Sequence, residues 1–280
     1  MADLADRIEA ATGRRPGRMS ALSGGCIAEI YKVELDGAGP VVAKRGSLLD
    51  LEGWMLDYLA EKSDLPVPRV IAAELDLLIM SHIETAGGLN ADAERHAADL
   101  LAALHEVRGS AFGLERDTLI GGLHQPNGEA ENWVDFFRDR RLLHMAREAL
   151  DAGRLPAAAM SGVEAVAARL ETWIDPPAFP SLIHGDMWGG NVLCRNGRIA
   201  GFVDPAIYHA DPEMELAFST LFGTFGDAFF ARYRERRPLA PGFFEVRRDL
   251  YNLYPLLVHV RLFGGSYVGQ VARIVDRLVG

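Results

Sequence analysis

Between Ser181 and Ala206 the chain reads SLIHGDMWGGNVLCRNGRIAGFVDPA, and no other stretch limits the possible folds as strongly. An apolar approach, Leu182 and Ile183, enters a loop running from His184 to Asn191. Two apolar runs then flank Asn196-Gly197, and the second, from Ile199 to Val203, ends on Asp204. Asn-Gly between apolar runs signals a hairpin, because both residues tolerate positive φ. The fold-back predicts that Asp204 returns beside Asp186 and Asn191. One carboxylate is then free to accept a proton, while a second carboxylate and an amide can hold a hard cation. Mg²⁺ bound with a nucleotide takes few protein oxygens and leaves its other positions to water and phosphate.

With 280 residues, 49% of them hydrophobic, the chain can bury a sizeable core as one large domain or two lobes. A formal charge of −10 argues against a nucleic-acid partner, which would require a basic face. Met1 to Ala11 carries acids and no long apolar run, unlike a signal peptide. The most apolar late stretch, Leu250 to Gly265, is broken by Asn252, Pro255, His259 and Arg261 and is too short to span a bilayer. These features lead us to expect a cytoplasmic protein without a membrane partner. Cys26 and Cys194, the two cysteines, give neither a disulfide framework nor zinc-type spacing.

Taken in order, the chain predicts a short helix over 3–12, then strands over 18–22, 27–35 and 40–44. The three strands form a meander with Gly24-Gly25 at its first turn and Lys44 at its end. A helix over 49–62 follows, with Glu52 in its first turns, and then two short strands over 69–73 and 77–80. Ser81, His82 and Ile83 lead into Gly87-Gly88, which reads as a hinge whose backbone would hold an adenine. The lobe boundary falls near residue 85, dividing the chain into 1–85 and 86–280. Beyond it, helical spacing covers 92–107, 131–150 and 157–174, and after the hairpin 225–236, 241–260 and 267–279, with a further helix starting at Asp211. Residues 112–127, with Gln125 and Asn127, read as a loop long enough to be functional. The fold class expected is α+β and bilobal, with a small antiparallel-sheet N-lobe and a mostly helical C-lobe; the His184–Asn191 loop and the returning Asp204 make it resemble a protein-kinase-like fold.

The pattern His-x-Asp, Asn five residues after that Asp, and a further Asp closing a hairpin is the catalytic half of a kinase site. Gly24 and Gly25 would let backbone amides approach phosphate, Lys44 would supply positive charge, and Glu52 would orient that lysine. Each feature alone also has a plainer reading. Gly24-Gly25 can be an ordinary turn, Glu52 a solvated acid, Trp188 a core residue under the loop, and Arg232 to Arg237 a solvated helix end.

Together these residues resemble the fructosamine (ketosamine) kinases, within the superfamily that also holds the aminoglycoside and choline kinases. His184 to Asn191 is similar to that family's H-G-D-L-W-x-G-N, with Met187 in place of Leu, and Asp204 to Tyr208 is similar to its D-P-A-x-Y. The resemblance spans essentially the whole chain. It implies ATP- and Mg²⁺-dependent phosphorylation of the 3-hydroxyl of a ketosamine, an adduct of a sugar with an amine or a protein lysine. The unstable product would release the amine, a deglycating outcome. Asp186 is then the expected proton acceptor, Asn191 and Asp204 the metal ligands, Lys44 the phosphate contact and Trp188 a platform for the sugar. His184 and Asp211 would brace the loop.

Two rival readings stay open on the sequence: another small-molecule kinase, acting on an aminoglycoside, choline or homoserine, and a non-catalytic nucleotide-binding protein. Cys26, beside the glycine turn, adds a candidate site for a redox-linked dimer.

Overall fold

Side-chain alternation in the first strands builds an antiparallel sheet with two buried faces. The computed structural model describes residues 4–22 and 28–280. In it five strands take the order β1-β2-β3-β5-β4: β1 (Pro16–Ala21), β2 (Glu29–Leu35), β3 (Ala38–Arg45), β4 (Val70–Glu74) and β5 (Leu77–Ser81). The expected meander is therefore part of a larger sheet, because β5 pairs along β3 and sets Lys44 opposite Leu78. Gly24, Gly25 and Cys26 lie outside the described residues. One face, including Val33, Val41, Leu77 and Ile79, packs on Ile8 of α1 (Leu4–Thr12). The opposite face, Val42, Leu78 and Met80, packs on Leu49 and Leu56 of α2 (Leu49–Lys62). Lys44 shares the parity of Val42 and so points at α2. That helix opens with Asp50 and Glu52 and closes with Lys62, complementing its dipole.

The rest of the chain is mostly helical. α3 (Ala91–Leu104) begins at Asn90, whose side chain accepts the Ala93 N–H, and α4 (Trp133–Phe136) begins in the same way at Asn132. The helix expected over 131–150 is loosened in its middle. A π-helical stretch, Phe137–Leu142, separates α4 from α5 (Leu143–Asp151). α6 (Ala157–Ala167) gives way to a 3₁₀ turn at Leu170–Thr172 rather than running to Ile174. Residues 112–127 are not a plain loop, since β6 (Thr118–Ile120) and β7 (Leu123–Gln125) form a hairpin there. Its Gln125 and Asn127 are buried and serve the scaffold: the Gln125 amide donates to the Ala206 carbonyl, and Asn127 accepts from the buried Arg141.

Four later helices complete the core: α7 (Glu213–Leu221), α8 (Asp227–Arg236), α9 (Arg248–Phe263) and α10 (Ser266–Val279). α9 is buried along most of its length, and a π turn at Phe243–Arg247 precedes it. The basic run at the end of α8 is not a solvated end. Arg232 and Arg236 both hold Asp99, and Arg237 holds Glu106, so the cations dock α8 on α3. Among the described residues, no helix is long and apolar enough to cross a membrane.

Candidate active site

Two short ladders position the loop that carries the chemistry. β8 (Ser181–Ile183) pairs antiparallel with β11 (Tyr208–Ala210), and the Ala206 N–H donates to the His184 carbonyl at 2.8 Å. Between these clamped ends, β9 (Val192–Arg195) and β10 (Arg198–Phe202) turn over Asn196-Gly197, both with positive φ. Val192 lies opposite Phe202, and the Val203 N–H donates to the Asn191 carbonyl at 3.1 Å. The hairpin thus returns Asp204 to the loop holding Asp186 and Asn191.

The Asn191 amide nitrogen donates to the Asp186 carbonyl at 2.8 Å and to Asp186 Oδ2 at 2.9 Å. Among the described residues, Asn191 Oδ1 has no protein donor. Asp204 Oδ1 accepts from Lys44 Nζ at 2.9 Å, while Lys44 also donates to both Glu52 oxygens at 2.9 and 2.7 Å. Burial alone would lower the Lys44 pKa, but the Glu52 and Asp204 carboxylates outweigh it and hold the ammonium above its ordinary value. The Asp204 backbone sits at φ 53, a region that non-glycine residues seldom adopt and that concentrates at functional sites. Burial pushes the Asp186 carboxyl up to about 7; the Asp204 charge adds to this, and the Asn191 amide, Lys44 and the Trp188 N–H oppose it. The donor set beside it, one carboxylate and one amide oxygen, fits an ion that keeps positions for water and phosphate.

Behind the loop stands a layer of buried braces. His184 donates from Nε2 to the Val203 carbonyl at 3.1 Å and accepts the Asp186 N–H on Nδ1 at 3.4 Å. A carbonyl can only accept, so the ring is the neutral Nε2–H tautomer, and burial lowers its pKa accordingly. Gly185 has φ 86, and a Cβ there would lie 2.0 Å from the Ala206 oxygen. Only glycine lets the loop approach the returning chain this closely. The expected brace Asp211 does not reach the loop: its carboxylate takes the Tyr251 hydroxyl at 2.6 Å and the Glu213 N–H at 2.9 Å. Glu215, one helical turn on, does that work by accepting the Gly185 N–H at 3.0 Å on Oε1 and meeting His105 Nε2 at 2.7 Å on Oε2.

Lys44, Glu52, Asp186, Trp188, Asn191 and Asp204 all line one cleft of about 750 Å³. Trp188 is not a core residue under the loop. It is 38% exposed, and its indole rests on Gly190, where a Cβ would come within 2.3 Å of the ring. Ser81, His82 and Ile83 stand apart from this cleft. The Ser81 hydroxyl accepts the Arg69 N–H and lines a separate depression, while the Ile83 side chain fills the space left by Gly201. The Ile83 N–H makes no hydrogen bond among the described residues. The same cleft is also lined by Phe218, Phe222, His259, Phe263 and Tyr267, an aromatic wall that the sequence did not reveal.

Comparison with known proteins gives one answer at three levels. A family model described as fructosamine kinase matches residues 1–280. A probable ketoamine kinase of Synechocystis sp. is 34% identical over 290 residues, covering 98% of this chain and 95% of that one. A crystal structure from Thermobifida fusca assigned to fructosamine-3-kinase superposes with a TM-score of 0.88 at 31% identity, covering 98% of this chain and 99% of its own. An aminoglycoside phosphotransferase, APH(4)-Ia, shares the fold alone, with a TM-score of 0.71 at 16% identity and coverage of 99% and 98%.

Proposed function

Because the chain belongs to the fructosamine kinase family, we propose that it transfers the γ-phosphoryl group of ATP to the 3-hydroxyl of a ketosamine. The observation that carries this reading is the meeting of Asp186, Asn191, Asp204 and the Lys44–Glu52 pair in one cleft. Asp186 accepts the sugar hydroxyl proton and points that oxygen along the line of transfer. Phosphoryl transfer through a loose transition state demands this alignment more than strong basicity. Lys44, held by Glu52, contacts the nucleotide phosphates. Asn191 Oδ1 and Asp204 are the residues that hold Mg²⁺, which supplies neutralisation of phosphate charge. Trp188 offers the sugar an aromatic face beside Asp186. Residues 1–85 carry the nucleotide contacts from the sheet side, and 86–280 carry the catalytic loop and the sugar.

The distribution of charge favours a ketosamine over an aminoglycoside. Among the described residues, the acids lining the cleft are Glu52, Asp186 and Asp204, each already engaged with the lysine, the acceptor hydroxyl or the metal, which leaves no carboxylate for the amines of a polycationic antibiotic. The intact set of five polar residues argues against a non-catalytic role. The test is ADP release with Mg-ATP on ribuloselysine and fructoselysine against a panel of aminoglycosides and choline. Turnover on the ketosamines alone, placed on the 3-hydroxyl by phosphorus NMR and abolished by Asp186→Asn with nucleotide binding retained, is expected. Turnover confined to another alcohol would replace the substrate assignment.

A further inference from the structure

The cleft is lined by two chemically different sets of residues, the polar ones just described and a group of aromatic rings. Phe222 closes α7, His259 and Phe263 lie on the last turns of α9, and Tyr267 stands in the first turn of α10. The rings form one surface: the His259 centroid is 4.9 Å from Phe222, 5.0 Å from Tyr267 and 5.7 Å from Phe263. Phe222 and Phe263 are 40% and 49% exposed, and with Trp188 they are the large aromatics that the described residues leave most open to solvent. Apolar rings held open inside a concavity mark a surface built to be covered by a ligand.

His259 fixes the polarity of that surface. Its Nδ1 lies 2.7 Å from the Pro255 carbonyl, an acceptor only, so Nδ1 carries the proton and Nε2 is a lone-pair acceptor. Burial holds the ring below its ordinary pKa, which keeps it neutral at pH 7. Nε2 has no partner among the described residues. Among the described residues, no lysine, arginine, aspartate or glutamate pairs with His259 or lies over these rings. Such a surface accepts one N–H and an apolar chain, and it offers nothing to balance an anion. Aromatic faces are also the negative side of the ring quadrupole, which favours a cation and disfavours a carboxylate.

Resting on the ketosamine reading of the cleft, we propose that Phe222, His259, Phe263 and Tyr267 form the subsite for the amine substituent of the substrate. An unbranched alkyl chain lies along the three carbocyclic rings, and His259 Nε2 accepts the N–H of the protonated secondary amine. The subsite selects adducts of alkylamines, including the side chain of lysine, over adducts in which a carboxylate stands beside the nitrogen. The sugar then reaches Trp188 and Asp186 with its amine side directed away from the phosphates.

Three ribulosamines differing only in the amine test this: the methylamine adduct, the hexylamine adduct and the glycine adduct. In the unaltered enzyme, kcat/KM for the hexyl adduct is expected to exceed that for the methyl adduct about tenfold or more, from burial of two or more methylenes. The glycine adduct should fall below the methyl adduct by about tenfold, the cost of an anion without a partner. Phe222→Ala and Phe263→Ala should each shrink the hexyl-to-methyl ratio to about threefold or less, through KM, as the covered ring is lost. His259→Leu should raise KM for all three adducts, with His259→Gln, which retains an acceptor, recovering most of the loss. A hexyl-to-methyl ratio near one, or a ratio unmoved by both phenylalanine replacements, would overturn the subsite while leaving the ketosamine kinase intact. Silence on every ribulosamine and fructosamine would remove the kinase reading itself, and the subsite with it.

Discussion

Among single residues, the buried acids of the DPEME segment separate position from role. Asp211, Glu213 and Glu215 follow one another at two-residue spacing, yet they face three partners: Tyr251, Arg247 and the Gly185–His105 pair. Sequence alone identifies the acids as a favourable helix start, but which of them touches the catalytic loop depends on how α7 packs. That packing carries no local signal. Asp211 also yields a stability prediction. Burial, reinforced by the Glu213 charge, pushes its carboxyl up to about 6 from an ordinary 3.8, against the pull of the Tyr251 hydroxyl and the Glu213 N–H. The folded protein therefore keeps a proton that the unfolded chain releases. Asp211 contributes its full stabilisation below about pH 4 and loses it as pH rises through 6, a change of about 3 kcal/mol. Asp211→Asn cannot titrate. In urea unfolding, the stability of the unaltered protein minus that of Asp211→Asn should fall by about that amount between pH 4 and pH 7.5. An equal gap at both pH values would show that Asp211 is already ionised in the fold.

Elements were legible where their period is long and uniform. The helix read over 49–62 has the bounds of α2, and the Asn196-Gly197 turn lies where the hairpin signal put it. β6 and β7, three residues each, are too short to show a period, so their hairpin reads as a loop. The π stretch at Phe137–Leu142 keeps helical spacing on both sides and is invisible to pattern. The polar half of the site is legible because its spacing is set by the hairpin and by the pairing of β3 with α2. The aromatic wall is not, since its rings come from three helices and each fits an ordinary core position. One element makes a direct prediction: the β8–β11 clamp forces the positive φ at Gly185. Gly185→Ala would place a methyl group 2.0 Å from the Ala206 oxygen, so the loop must shift. We expect a loss of about 2 kcal/mol or more in stability from strain and clash. Turnover should drop about 100-fold or more, as Asp186 moves by even an ångström. Thermal unfolding and steady-state kinetics on one preparation separate the two effects, and full activity with normal stability would mean that the loop is more pliable than this geometry allows.

At the level of the whole molecule, Lys44 ties two parts of the chain together. It belongs to the five-stranded sheet, yet it spans from Glu52 on α2 to Asp204 at the end of the hairpin, 160 residues away. With side chains 9% and 12% exposed, Lys44 and Glu52 form a desolvated pair, so breaking it by removing one partner would leave a buried charge uncompensated. Asp204, at 33%, is the more exposed end of the network. On the proposed reading, a nucleotide bound with Mg²⁺ would contact both sides of the cleft at once, and so should stabilise the sheet and the helical part as one unit. At about 100 times its dissociation constant, Mg-ADP contributes about 2.7 kcal/mol. For a chain of this size that is a rise in Tm on the order of 5 °C. Excess EDTA with the same ADP should abolish most of that rise, because Asn191 and Asp204 then hold no ion and the phosphate charge faces two carboxylates unscreened. Asp204→Asn with magnesium present should behave like the chelated protein. If ADP stabilises equally with and without magnesium, the oxygens of Asn191 and Asp204 are not the metal ligands, and the cleft holds its nucleotide through Lys44 and the backbone alone.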